Sequence, residues 1–349
     1  MPAEEYAQAL LKDLEHDLPL VWGRTVHSVF FGGGTPSLFS AKQIEFMMNG
    51  FRSLLRLSPE AEVTLEANPG TTEYDSFSAY RDAGVNRISL GVQSFDDECL
   101  NRIGRIHGKM EVERALAGIK RSGINNYNID LMFALPGQTL DVALRDVQEA
   151  IGHGPTHISH YQLTIEPNTA FHARPPVLPD DDSAWRIQEG CDLLLNKAGY
   201  VQYEVSAWAK PAFECRHNLN YWRYGDFLGI GAGAHAKITL PSENAVRRRI
   251  RLRQPASWMK QVWAGNGLAD DKALEPQERV FEFFLNQLRL RGGVRVSQFE
   301  PRTGVAWEDV TKRVRVAIEK GLLKEENGIL VPTSLGWRFN NEIQALFLP

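Results

Sequence analysis

Over its first 165 residues the chain alternates short apolar, β-branched runs with segments of helical period, and few architectures accept that order. Tyr6, Leu10, Leu14 and Leu18 recur every four positions, which predicts a helix ending near Pro19. Strands are expected at Val26–Phe31, Glu62–Ala67, Arg87–Val92, Asn126–Met132 and His157–Thr164. Helices over about 41–55, 72–83, 97–104, 110–122 and 139–152 separate them. Strand–helix–strand repetition of this kind means right-handed βαβ units and a parallel sheet, an α/β fold. From about 165 to 275 the pattern loosens, with a helix near 181–198 and a strand Tyr203–Trp208. Beyond it, Gln277–Leu290 and Trp307–Lys320 read as amphipathic helices, and a last helix covers about 334–347. Leu322–Val331 reads as a hairpin turning at Asn327-Gly328. The expected division is a barrel-like segment (1–165), an extension (166–275) and a small helical, winged-helix-like module (276–349).

Composition narrows the function classes. Lys plus Arg is 39 against 43 for Asp plus Glu, a net charge of −4, which argues against a protein built to neutralise phosphate backbones. No apolar run approaches the 18 or so residues a bilayer span needs. The start, MPAEEYAQALLKDLEHDL, is acidic and lacks the order of a secretory signal, so a cytoplasmic protein is expected. Cys99, Cys191 and Cys215 are odd in number and far apart, which excludes a disulfide framework and a structural zinc site.

In α/β sheets ligands bind at the carboxyl ends of the strands, and the polar, Gly/Pro-punctuated segments of this chain fall there. Gly32-Gly33-Gly34-Thr35-Pro36 follows the first strand; its glycines let backbone amides approach a ligand, and Thr35 adds a hydroxyl. It is not a P-loop, because no GK[ST] follows. Glu66, Gln93, Arg105 and Asp130 lie at or just beyond later strand ends. Each is weak alone; with the glycine loop they make five elements pointing at one barrel mouth. In Cys215-Arg216-His217-Asn218-Leu219-Asn220-Tyr221-Trp222, the imidazole of His217 is either a haem ligand beside two aromatics or a structural hydrogen-bonding group. Gly229-Ile230-Gly231-Ala232-Gly233 misses the GxGxxG spacing and reads as close backbone packing. Arg247-Arg248-Arg249-Ile250-Arg251-Leu252-Arg253 reads as an exposed strand or hairpin, with nucleic-acid contact as the other possibility.

GGGTP, LEANPG, RISLGVQSF, GRIHG, NIDLMFALPGQT, YQLTIEPNT and HNLNYW occur in that order. Together they resemble the radical S-adenosylmethionine family of oxygen-independent coproporphyrinogen III oxidase-like proteins, and HNLNYW is most similar to its haem-chaperone branch. The resemblance covers essentially the whole chain. It implies a partial six-stranded, TIM-like (βα) barrel with a C-terminal helical module. It further implies S-adenosylmethionine at the barrel mouth, held by Gly33, Gly34, Thr35, Glu66, Gln93, Arg105 and Asp130, and haem contact at His217. The implied function is binding haem and delivering it to acceptor proteins, respiratory ones by resemblance, with possible peripheral contact at membrane-bound acceptors. The alternative within the family is an oxygen-independent coproporphyrinogen III oxidase. Outside it, nucleic-acid binding through the C-terminal module is the other class.

One departure is severe. The family holds a 4Fe-4S cluster on a CxxxCxxC loop after the first barrel strand, and this chain has no such triplet. The first recognisable element is the helix after that loop, so strand and loop are missing together. Either they are encoded upstream of Met1 or the chain is a natural cluster-less relative. The first is expected, because Val26–Phe31 would otherwise be left as an apolar edge strand with unpaired backbone groups. The chain as it stands is expected to assemble no radical cluster and to be catalytically inert.

Overall fold

A computed structural model of the protein describes residues 3–34, 36–71 and 76–349. The chain opens with α1 (Ala3–Val21) and then alternates: β1 (Thr25–Phe31), α2 (Ala41–Leu54), β2 (Arg56–Ala67), α3 (Phe77–Asp82), β3 (Arg87–Gln93), α4 (Asp97–Arg102), α5 (Lys109–Ser122), β4 (Asn126–Phe133), α6 (Leu140–His153) and β5 (His157–Gln162). Next come α7 (Ala170–Ala173), α8 (Asp181–Lys197), β6 (Val201–Glu204), β7 (Ala207–Ala209) and α9 (Arg216–Trp222). Then β8 (His235–Leu240), β9 (Ala245–Arg251), α10 (Pro255–Trp263), β10 (Leu268–Ala273) and α11 (Pro276–Gln287) follow. The end comprises β11 (Val294–Arg295), α12 (Phe299–Thr303), α13 (Glu308–Glu319), β12 (Leu323–Glu326), β13 (Ile329–Pro332), α14 (Ser334–Arg338) and α15 (Asn340–Ala345). The chain forms two compact units. One holds His27–Glu45 and Glu60–Cys215, the other Met1–Val26, Phe46–Pro59 and Arg216–Pro349.

The first unit is built on a seven-stranded sheet of order β1-β2-β3-β4-β5-β7-β6. Strands β2 to β5 run parallel, and β7 and β6 are antiparallel additions. The expected α/β, TIM-like half-barrel is present, curled from this sheet. Its two faces differ, because successive side chains of a strand point to opposite sides. Val63, Leu65, Ile88, Leu90, Ile129, Leu131 and Ile158 are buried on the apolar face. The helices that follow the strands are amphipathic, with Val112, Leu116 and Ile119 of α5 and Ala143, Val147 and Ala150 of α6 buried. The alternate positions Thr64, Arg87, Ser89, Asn128, His157 and Ser159 are buried and polar. A parallel sheet covered by apolar layers on both sides reads as continuous hydrophobic runs; this alternation marks the other face as the lining of a polar lumen.

Several expectations need correction. The strand expected at Tyr203–Trp208 is two short antiparallel strands, β6 and β7, with a register shift between Gln202 and Glu204. The last helix breaks at Phe339, whose φ of −110° and ψ of 43° are not helical. Helix α1 runs through Pro19 to Val21. Part of the helix expected at 72–83 lies outside the described residues, and α3 begins at Phe77. The hairpin turns where expected, with Asn327 and Gly328 at φ of 51° and 73°, the left-handed pair of a type I′ turn.

In the second unit, the arginine run forms β9, in the centre of a three-stranded sheet β10-β9-β8, and it is not an exposed strand. Arg251 Nε donates to Asp13 at 3.0 Å and its Nη2 to Asp17 at 2.7 Å. Arg249 pairs with Asp17 through Nη1 and with Asp271 through Nε. Arg247 pairs with Asp271, and Arg248 grips Glu282 with Nε and Nη2. Asp13 and Asp17 lie on α1 beside the buried Leu10 and Leu14, so this helix buries carboxylates within its apolar stripe. Gly229 belongs to close packing as expected, since a Cβ there would meet the His235 carbonyl at 1.8 Å. The C-terminal core joins Val280, Phe283, Phe284, Phe299, Val310, Val314 and Phe347, beside the three-stranded sheet β11-β13-β12 of the winged-helix-like module. Among the described residues, no helix is long and apolar enough to cross a membrane.

Removing one partner of a buried ion pair strands the other charge, at a cost of about 3–5 kcal/mol. Asp17→Ala, which leaves Arg249 and Arg251 short of a partner, is therefore expected to lower the urea midpoint clearly. The exposed pair Lys12–Glu15 is the control: Glu15→Ala should change the unfolding free energy by less than about 1 kcal/mol and move the midpoint little. Equal midpoints for the two variants would contradict this assignment.

Candidate functional site

The glycine loop after β1 meets the end of β2. Gly33 N–H donates to the Glu66 carboxylate at 3.2 Å, and Gly33 has φ of 106°, a conformation suited to glycine. A Cβ on Gly32 would lie 2.7 Å from the Phe30 ring and 3.2 Å from Glu66 Cδ, so the backbone passes close to this carboxyl group. Gly34 faces open space and is exposed. Thr35 lies outside the described residues. Glu66 is half-buried, and burial raises its pKa, opposed by the Gly33 amide and reinforced by Asp130.

Gln93, at the end of β3, takes φ of 71°, uncommon for a non-glycine residue, and the β3–β4 register shifts between Leu90 and Gln93. A Cβ on Gly91 would sit 3.0 Å from Gln93 Nε2 and 3.1 Å from Asn68 Oδ1, so both side chains crowd this glycine. Ala134, just past β4, also has positive φ, at 54°. Two such residues at neighbouring strand ends store strain of order 1–3 kcal/mol each.

Asp130, on β4, sits on the polar network of the lumen. Its Oδ1 accepts from Asn128 Nδ2 at 2.8 Å and its Oδ2 from Ser89 Oγ at 3.2 Å. Burial raises its pKa, against the hydrogen bonds from Asn128, Ser159 and Ser89. Arg105, in the loop between α4 and α5, is half-buried; burial lowers its pKa and the charge of Asp130 opposes that. His107, two residues on, anchors the loop by contacting the Val92 carbonyl at 3.2 Å. Gly33, Gly34, Glu66, Gln93, Arg105 and Asp130 thus belong to one unit and to its strand-end loops or inner face. Amide donors, two carboxylates, a carboxamide and a guanidinium suit a ligand with ammonium, carboxylate and hydroxyl groups.

Residue-by-residue reading missed the layer beneath. His157 Nδ1 lies 2.7 Å from Asn128 Oδ1, and its Nε2 lies 2.9 Å from the Tyr203 hydroxyl. Burial, and Arg87 nearby, push its pKa well below the usual value, so the ring is neutral. Asn128 Nδ2 donates to Ser89 and Asp130, which leaves its oxygen facing the ring. Nδ1 therefore carries the proton, and Nε2 accepts from Tyr203. The period-two polar pattern of β3, β4 and β5 was the available signal for these residues.

His217 is placed in the other unit, on α9, and is half-buried. Around it on the chain, Tyr221 packs edge-on against Trp222 at 5.0 Å and tilted against Phe227 at 5.0 Å, while Arg289 lies over the Trp222 ring at 4.4 Å. The cysteines do not fit a 4Fe-4S cluster. Cys99 is buried in α4, Cys191 in α8, and Cys215 donates to Glu62 at 3.4 Å. Burial pushes the Cys99 and Cys191 thiols up to about 12, the reverse of what an iron-binding thiolate needs. Among the described residues, one group of three could gather round a metal ion: Glu113, Glu149 and His153, where Lys109 already pairs with Glu149 at 2.5 Å.

The crowding at Gly32 gives a paired expectation. Gly32→Ala must displace the Phe30 ring or Glu66 and should destabilise by about 1–3 kcal/mol, whereas Gly34→Ala should leave thermal stability nearly unchanged. Thermal melts of both variants check it, and an unaffected Gly32→Ala would contradict the close approach.

Comparison with known proteins agrees with the fold. The family model of the Radical SAM superfamily matches residues 11–149, and that of the HemN C-terminal domain matches residues 274–339. The chain is 46% identical over 348 residues to "Heme chaperone HemW" of Escherichia coli (strain K12), covering 100% of this chain and 91% of that protein. It is 45% identical over 352 residues to the protein of the same name from Haemophilus influenzae, with the same coverage. With that of Lactococcus lactis it shares 31% over 355 residues, covering 99% of this chain and 90% of the relative. A solved structure of Escherichia coli coproporphyrinogen III oxidase (HemN) superposes with a TM-score of 0.81 at 22% identity, over 99% of this chain and 83% of that one, a likeness of fold. Similarity of this extent, along the whole chain and in the order of its motifs, places the chain in the HemW family of the radical SAM superfamily.

Proposed function

We propose that this chain is a haem chaperone that binds haem and S-adenosylmethionine and delivers haem to acceptor proteins, respiratory ones among them. The observation that carries the reading is the full-length identity of 46% to a relative named for haem chaperoning. In the proposed division of labour, Gly33, Gly34, Thr35, Glu66, Gln93, Arg105 and Asp130 hold S-adenosylmethionine. The carboxylates and amide oxygens receive its ammonium and hydroxyl groups, and Arg105 answers its carboxylate. His217 contacts haem. A half-buried imidazole on a helix that also carries Tyr221 and Trp222 supports that role, since aromatic faces suit a macrocycle. The division at 165 and 275 belongs to the same proposal. The oxidase alternative is supported by the likeness of fold alone.

Haem titration followed by absorbance tests the reading. The chain should bind haem saturably, and His217→Ala should weaken binding by about ten-fold or more. Unchanged affinity would remove His217 as the ligand, and no saturable binding would sink the chaperone reading. The buried thiols give a second expectation: anaerobic reconstitution with iron and sulfide should leave this chain well short of the roughly four irons of one cluster. A full complement of iron, with cleavage of S-adenosylmethionine, would contradict it.

A further inference from the structure

The loops after β3 and β4 both leave their strands through a left-handed non-glycine residue, Gln93 and Ala134. Such conformations persist only where the surroundings over-determine them. One side chain reaches both loops. Asp146, in the second turn of α6 and 3% exposed, accepts from the Ser94 hydroxyl at 2.8 Å and from the Phe95 amide at 2.7 Å. From the loop after β4 it accepts from Gln138 Nε2 at 3.2 Å, and the oxygen of that Gln138 accepts from the Leu135 amide at 3.2 Å. Ser94 in turn receives the Asp96 amide at 3.0 Å. The residue adjoining Gln93 and the turn following Ala134 are thus tied to a single carboxylate.

We propose that Asp146 is a positioning residue for the strand-end site: its ionised carboxylate clamps the loops after β3 and β4 together and so presents Gln93 to S-adenosylmethionine. The inference rests on the assignment of Gln93 to that cofactor. It extends it to a residue that touches no ligand and that no motif singled out. Three donors, one of them a backbone amide, converge on this group, and a carboxylate accepts all three where a carboxamide accepts fewer.

The clamp is costly to hold charged. Burial raises Asp146 to about 6, against the bonds from Phe95, Ser94 and Gln138, and the nearby charge of Asp96 adds to the rise. The other titratable groups that face it are thiols, Cys99 on α4 and Cys191 on α8, both held protonated. Because its folded-state pKa lies above the unfolded value, the folded chain holds this proton more tightly. Ionisation as the pH rises through about 6 therefore removes folding stability while it completes the clamp. A buried acid kept ionised at neutral pH against stability is where function is expected to be the reason.

Asp146→Asn tests this, because it keeps the shape and removes the charge. The variant should melt no lower than the wild type at pH 7.5, yet bind S-adenosylmethionine about ten-fold more weakly. Wild-type affinity should fall as the pH drops from 7.5 to 5.5, with a midpoint near 6 on top of any titration of Glu66 and Asp130, and the variant should lack that transition. A purely structural role would move the melting point and leave that pH profile in place. Hydrogen exchange, corrected for the intrinsic rate, reads the clamp without the cofactor. The Phe95 and Leu135 amides should exchange about ten-fold faster in the variant. Wild-type-like affinity in Asp146→Asn, or unchanged exchange at both amides, would overturn the proposal. Should the wild type bind no S-adenosylmethionine, the cofactor reading fails and hydrogen exchange alone decides the clamp.

Discussion

The carboxamide of Asn128 is the joint on which the inner face of the sheet depends. It lies at the centre of β4, 1% exposed, and bonds sideways to Ser89 of β3 and to His157 and Ser159 of β5, and along its own strand to Asp130. Its two donors and its oxygen are all used, so this carboxamide is itself fully satisfied, although Thr64 Oγ1 and Arg87 Nε on the same face are buried without a hydrogen-bond partner. That satisfaction fixes the neutral tautomer of His157 and holds Asp130 beneath the strand-end loops. A buried polar layer of this kind is expensive unless complete. The mutual bonding of Ser89, Asn128, Asp130 and His157 is what lets a parallel sheet keep a polar lumen behind an apolar outer face.

Above that layer, the site is assembled from strained or crowded backbone: the Gly32 approach to Glu66, Gln93 and Ala134 in left-handed conformations, and a register break in β3. Strain of this kind gathers where geometry serves a ligand more than stability. The second unit holds charge differently. Asp13 and Asp17 on the first helix pair with Arg249 and Arg251 more than 230 residues later, tying that unit together through contacts distant in sequence.

Much of this was legible in the residues. The βα alternation gave the sheet, Asn327-Gly328 gave the hairpin, and the glycine and polar residues at strand ends marked the mouth. What was not legible depends on partners distant in sequence. Arg247–Arg253 looks like a surface patch until α1 is seen to bury two aspartates within its leucine stripe. Tyr203–Trp208 looks like a single strand because a sharp antiparallel return leaves no glycine or proline behind. The lumen residues were within reach: Arg87 and Ser89, Asn128 and Asp130, His157 and Ser159 alternate with apolar neighbours in strands that a fully covered parallel sheet would make apolar throughout. Asp146 was not, since it sits on the buried face of an ordinary amphipathic helix.

The thiols of this chain bear on one of the two properties in question, iron–sulfur chemistry, and leave the other, haem carriage, to be measured. Cys99, Cys191 and Cys215 are buried at separate places in the fold, so the chemistry of an iron–sulfur centre has no ligand set among them. Delivery is therefore the property to measure. The chain is loaded with haem, separated from free haem, and mixed with a haem-free protein that takes up haem, with transfer followed by the change in visible absorbance. The expected result is transfer to the acceptor, faster than spontaneous release of haem from the loaded chain. Haem that stays on this chain, or that moves no faster than it dissociates, would contradict the role of haem chaperone.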